Sequence, residues 1–240
     1  MNIEHLKRKE GFTLIEVLLA VFISLVLLTS VYFAVTSAQR STTGVDIKVA
    51  AQQDVRAILD VMALEIGMAS YNPTYSLAVW EDWQRGIRET PNPPPSSTNL
   101  SMAYGLRVSM DLAGTGITSN LARITYAYDA GNQRITRDNW DGSGPQPFLG
   151  DALGSPRSVR VVNEVNGNGV YDAGTDLPVF RYFDTTGVEI PIADLPGRIQ
   201  EIRRIEITLA VETEDLDPNT KQRRRMIYTT SVIPRNHGLY

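Results

Sequence analysis

Between Phe12 and Val35 the chain carries a single charged residue, Glu16, in a run of 24. As a helix rising about 1.5 Å per residue, that run is about 36 Å long, enough to cross a hydrocarbon core of about 30 Å. Lys7, Arg8 and Lys9 precede the run and the next basic residue is Arg40. The bias of Lys and Arg toward the cytoplasmic side therefore places the N-terminus in the cytoplasm and everything after Arg40 across the membrane. Glu16 sits badly in this picture, because burying a comparable acid at the centre of a bilayer costs upward of about 2.5 kcal/mol.

Three readings account for such a segment. It could be a permanent anchor. It could be a secretory signal cut after Thr36-Ser37-Ala38, although its apolar region exceeds the usual length of about 7–15 residues and a glutamate is foreign to one. The third reading uses every feature. A basic leader, Gly11 and then the stretch FTLIE (Phe12 to Glu16) with an apolar continuation closely resembles the prepilin signal of type IV pilins and type II secretion pseudopilins. The resemblance implies that a prepilin peptidase cuts between Gly11 and Phe12 and methylates the new N-terminus. A residue without a side chain suits a cut that needs close access to the backbone. Glu16 then becomes the fifth residue of the mature chain, where the family carries its glutamate. There the resemblance implies that it pairs with the terminal amine of a neighbouring subunit, offsetting the cost of an ion in lipid and favouring one register of assembly. A Glu16 shallow enough to be hydrated is the alternative. No proline lies between Phe12 and Arg40, so a segment with little kink is expected.

After Ser37 to Gly44 the helical period resumes. Ile47, Ala51, Val55, Ile58, Leu59, Met62, Ile66 and Ala69 share one face, with Gln53, Arg56 and Asp60 opposite. This one-sided helix should lie on a sheet, with Gly44 loosening the junction and Asn72-Pro73 ending it. Residues Arg56, Ala57, Met62, Glu65, Ile66, Met68, Ala69, Tyr71 and Pro73 resemble the pattern at this point in the PilW family of minor pilins. The segments RRIEITLAVETED and TTSVIPRN resemble that family's last two strands. Membership implies a low-abundance subunit that helps to start a pilus at or near its tip. Its implied partners are the prepilin peptidase, other minor and major pilins, the inner-membrane assembly platform and membrane lipid.

Downstream, the stretch Thr90 to Asn99 reads as an extended loop, with Trp80 and Trp83 before it covering the edge of the core. From Tyr104 onward the pattern is of strands, many alternating, as in Ile205, Ile207, Leu209 and Val211 against Arg204, Glu206 and Thr208. Asp129 to Asn132 fits a tight turn. The expected fold is α+β, type IV pilin-like, with one long helix on an antiparallel sheet. The chain divides into a leader (1–11), a membrane and assembly helix (12–39), an amphipathic helix (40–73) and a β-rich periplasmic or extracellular domain (74–240). It should be a single-pass inner-membrane protein that later enters a pilus tip or a pseudopilus.

The segment from Asn163 to Asp176 compares with the calcium loop D-x-[DN]-x-[DN]-G. Glu164, Asn166 and Asn168 supply alternating oxygen side chains, followed by a glycine, the Val170 carbonyl, Asp172 and Asp176. Glu replaces the usual first Asp, and Thr175 stands where a closing glutamate would; a pair of Asn-Gly surface turns explains the same residues. A structural calcium ion is the one cofactor suggested. The cluster Lys221 to Arg225 could bind nucleic acid, but Glu212, Glu214, Asp215 and Asp217 lie just upstream and should neutralise it. A formal charge of −4 gives no general pull toward nucleic acid. With no cysteine and only His5 and His237, thiolate metal sites and a Ser–His–Asp triad find little support. The chain therefore reads as an assembly protein and not an enzyme. The alternatives are a minor pseudopilin of a type II secretion system and, from another class, a tip adhesin or DNA-uptake module.

Overall fold

The computed structural model describes residues 11–74, 86–89, 102–116, 120–151 and 158–238. The basic leader residues, Trp80, Trp83 and the loop Thr90 to Asn99 lie outside the described residues.

Helix α1 spans Leu14–Gly67, 54 residues without a break. It passes through Gly44, so the apolar run and the amphipathic segment form one rod of about 80 Å. Gly44 does not loosen it, because the residues on both sides keep the helical hydrogen bonds. A methyl group added at Gly44 would meet the Asp217 carboxylate at 3.6 Å, an ordinary contact. Gly44→Ala should therefore stabilise the chain by about 0.5–1 kcal/mol, the difference in helix propensity, measured by chemical denaturation in detergent.

The two halves of the rod have opposite surroundings. Toward the C-terminal end Ala51, Val55, Leu59, Met62 and Ile66 are buried as one stripe. Gln53, Arg56 and Asp60 are exposed, as the 3.6-residue period requires. Toward the N-terminal end none of the described residues covers the helix. The helix is long and apolar enough to span a membrane, and its most apolar window is 0% buried. Ser24, Thr29 and Ser30 donate their hydroxyl protons to the carbonyls of Ala20, Leu25 and Val26 at 2.7, 2.7 and 2.8 Å. These polar interruptions are thus satisfied within the helix, the condition for lying in lipid.

The helix ends at Gly67, before the Asn72-Pro73 pair expected to stop it. A tertiary interaction ends it first. Ser70 adopts a left-handed backbone, with φ +63°, and its N–H donates to Ser109 O at 3.0 Å; Tyr71 O then accepts from Asp111 N at 2.9 Å. The chain is drawn onto a strand before the proline is reached.

Among the described residues the strands form two antiparallel sheets, which together make the antiparallel layer expected under the helix. The first is a meander of β1 (Ile87–Arg88), β2 (Gly105–Met110), β3 (Ala122–Asp129), β4 (Arg134–Asp138) and β5 (Gln146–Leu149) in sequential order. The β3–β4 turn is the one expected, closed by Asp129, whose carboxylate accepts from Asn132 N at 3.1 Å and Arg134 Nε at 2.9 Å. The second sheet contains β6 (Val159–Val161), β7 (Phe180–Phe183), β8 (Glu189–Ile190), β9 (Arg204–Thr213) and β10 (Arg225–Val232), with the order β10-β9-β7-β8. A short helical turn, α2 (Leu195–Arg198), precedes β9.

Strands β6 and β7 lie end to end along β9. β6 pairs with Val211 to Thr213 and β7 with Arg204 to Ile207. The chain between them leaves the sheet as a loop. The sheets join where Val161 N donates to Gln133 O at 2.8 Å. The buried stripe of α1 lies against β5, β9 and β10, and the core includes Met62, Tyr126, Phe180, Ile205 and Leu209. A long helix laid on antiparallel strands is the α+β arrangement expected from the sequence.

Candidate functional site

At the head of α1, Gly11 and Phe12 precede the helix and are exposed, Phe12 at 89%. Thr13 is the N-cap residue. Its N–H and hydroxyl both donate to Glu16 Oε2 at 2.9 Å, while Glu16 N donates back to Thr13 Oγ1 at 3.4 Å. This is a capping box. It satisfies orphan donors of the first turn and sets a carboxylate against the positive end of the helix dipole. The local signal, a Thr three residues before a Glu ahead of an apolar run, was present in the sequence. Glu16 is therefore held at the very start of the helix, with its carboxylate turned toward the chain that would become the N-terminus after a cut at Gly11.

Between β6 and β7, the loop of the calcium-like motif is closed at its base. Leu177 N donates to Asn163 O at 2.8 Å, and the Asn163 side-chain amide donates to Leu177 O at 3.1 Å and Thr208 O at 2.9 Å. Asn163 Oδ1 accepts from Ala210 N at 2.9 Å, so this buried side chain fills the gap in the β9 ladder between β6 and β7. Beyond it Glu164 turns inward, accepting from Asn168 N and, at 2.7 Å, from Gly169 N. Asn168 Oδ1 accepts from Val170 N at 2.7 Å, and Asn166 Nδ2 donates to Asp172 Oδ2 at 3.0 Å. Asp176 accepts from Val165 N and Asp172 N, both at 2.9 Å. Gly169 has φ +74°, a conformation that favours glycine at the sharp turn. The motif residues thus share one loop. As they stand, no three acidic or histidine side chains among the described residues form a ready metal centre.

Two arginines of the basic cluster meet the upstream acids as expected. Arg224 meets Asp217 at 2.8 Å and Arg223 meets Glu214 at 3.6 Å across the β9–β10 hairpin. Asp217 also accepts from Asn219 N at 2.8 Å and Thr220 N at 3.2 Å. These backbone bonds, with the Arg224 guanidinium, hold its carboxyl below the usual aspartate range.

Two polar devices were not legible in the sequence. On α1, Glu65 accepts from Arg137 Nη2 at 2.6 Å and Arg137 Nε at 3.0 Å, and from the Tyr126 hydroxyl. His237, buried near the end of the chain, lies 2.9 Å from Ser70 Oγ through Nδ1 and 2.7 Å from Ile199 O through Nε2. A carbonyl can only accept, so Nε2 carries a proton and donates to Ile199 O. The histidine fastens the C-terminal segment to the end of α1.

Comparison with known proteins agrees with the head of the helix. No curated protein matches the chain. Among solved structures, a type IV-like pilin from Thermus thermophilus is similar at 11% sequence identity and a TM-score of 0.41, over 78% of this chain and 97% of that one. By sequence, residues 6–32 match the family model described as the prokaryotic N-terminal methylation motif, a span that holds Gly11, Phe12 and Glu16.

Proposed function

We propose that this chain is a type IV pilin-type subunit, and within that class a minor pilin that helps to initiate a pilus at or near its tip. A prepilin peptidase cuts it between Gly11 and Phe12 while α1 anchors it in the inner membrane, N-terminus in the cytoplasm and domain in the periplasm. Membrane lipid and the assembly platform receive it first; other minor and major pilins then replace lipid around its helix. In this reading Glu16 meets the terminal amine of a neighbouring subunit. The methylation motif supports the processing step.

The observation that carries the reading is the unbroken α1. One helix has an uncovered apolar half beginning at the motif and a buried half in the domain core. An apolar surface of that length needs lipid or other helices around it. A rod continuous with the core lets the domain follow the stem as it leaves the membrane. The PilW assignment rests on the residues from Arg56 to Pro73, of which Met62, Ile66 and Ala69 are buried and Glu65 ties the helix to β3 and β4.

An in-frame deletion in the native host tests the reading, scored for surface pili by electron microscopy and for exported enzymes in the medium. The expected result is loss of pili with normal secretion. Intact pili with blocked secretion would make the chain a minor pseudopilin of a type II secretion system.

A further inference from the structure

We propose that the loop from Glu164 to Asp176 is a calcium-binding site that fastens the insert between β6 and β7. The inference concerns the domain alone and does not depend on which filament the chain enters.

The motif gives the order of donors; the structure adds an orphaned oxygen. Glu164 is 8% exposed, and one of its two carboxylate oxygens is engaged by the N–H groups of Asn168 and Gly169. Its carboxylate is therefore inside the loop. The other oxygen, Oε2, is buried with no hydrogen-bond partner. A buried carboxylate oxygen left without a donor is costly, and such groups in native proteins are normally satisfied by protein, water or an ion.

The charge around it has the same sense. Asp176, also 8% exposed, and Asp172 belong to the same loop, and no Lys or Arg pairs with Glu164, Asp172 or Asp176 among the described residues. Behind the loop the Tyr104 hydroxyl is buried, with the Asp176 carboxylate beside it.

The chemistry selects the ion. Every side chain offered is a carboxylate or an amide, with no nitrogen or sulfur ligand, so the site suits a hard cation. Calcium accepts carboxylates, amide oxygens and backbone carbonyls in irregular numbers, whereas magnesium demands a near-octahedral shell. Glu164, Asn166, Asn168, the Val170 carbonyl and Asp172 fall at loop positions one, three, five, seven and nine. Binding exchanges the bond from Asn166 to Asp172 for oxygen contacts from both residues to the ion, and Asp176 closes the ring in place of the missing glutamate. Because the base is already clamped by Asn163 and Leu177, little of the surrounding sheet has to move.

The test uses the full chain in detergent micelles, melted in calcium and in chelator. With free calcium about a hundredfold above its dissociation constant, the midpoint should rise by roughly 5–10 °C. Asp172→Asn, a partly exposed position, should melt like the wild type in chelator and lose most of that rise. Glu164→Gln should lose it as well. Coincident wild-type curves with calcium and with chelator would overturn the proposal. So would a calcium shift that survives undiminished in Asp172→Asn.

Discussion

Gly11→Val should leave the chain unprocessed, retaining its eleven-residue leader, while the domain folds as before. The expectation follows from two separate facts. The reading of the motif puts the cut at the Gly11–Phe12 bond, where a branched side chain would obstruct approach to the backbone. In the folded chain a Cβ at Gly11 meets nothing within 4 Å, so the substitution has no structural cost of its own. Intact-mass measurement of membrane fractions should show only the longer species, against complete removal of the leader in the wild type. Incorporation into filaments should fall to background, because the retained leader keeps charged residues at the head of the helix, where the proposed function has Glu16 meet a neighbour. Appearance of the shorter species at wild-type levels would refute the assignment of the cut site.

How much of this could be read in advance varies with how local the cause is. The buried stripe of α1 was legible because Ala51, Val55, Leu59, Met62 and Ile66 repeat with the helix's own period. Strand β3 was legible, because it alternates and ends at an Asp-initiated turn. Strand β5 was not, since QPFL contains a proline, has no alternation, and exists only because β4 pairs with it. The two-residue strands β1 and β8 depend likewise on partners. The end of α1 was misjudged for the same reason. Asn72-Pro73 is a local stop, but the contact between Ser70 and Ser109 acts earlier in the chain and comes from a distant strand. Within the calcium-like loop the order of oxygen donors is local and visible. The burial of Glu164 and the closure by Asn163 against Leu177 and β9 arise only from the fold.

Glu65→Ala should be among the most damaging single changes in the domain, lowering its stability by about 2–4 kcal/mol. Glu65 is the one acidic side chain on α1 shown bonded to both Arg137 on β4 and Tyr126 on β3. Removing it strands two donors at once. Tyr126 is fully buried, and the Arg137 side chain is 22% exposed, so water replaces the lost acceptor only in part. Arg137→Ala should cost less, because the Tyr126 hydroxyl still satisfies Glu65 Oε2. The double variant should then be less destabilised than the sum of the two, with a coupling of about 1–3 kcal/mol. Chemical denaturation of the four proteins in detergent measures all of these. The resemblance to PilW proteins selects Glu65 without giving it a role; its pairing with a residue 72 positions away provides one. The glutamate joins α1 to β3 and β4 of the first sheet. A measured coupling near zero would make it an ordinary surface acid and remove that account of how the helix is tied to the sheet.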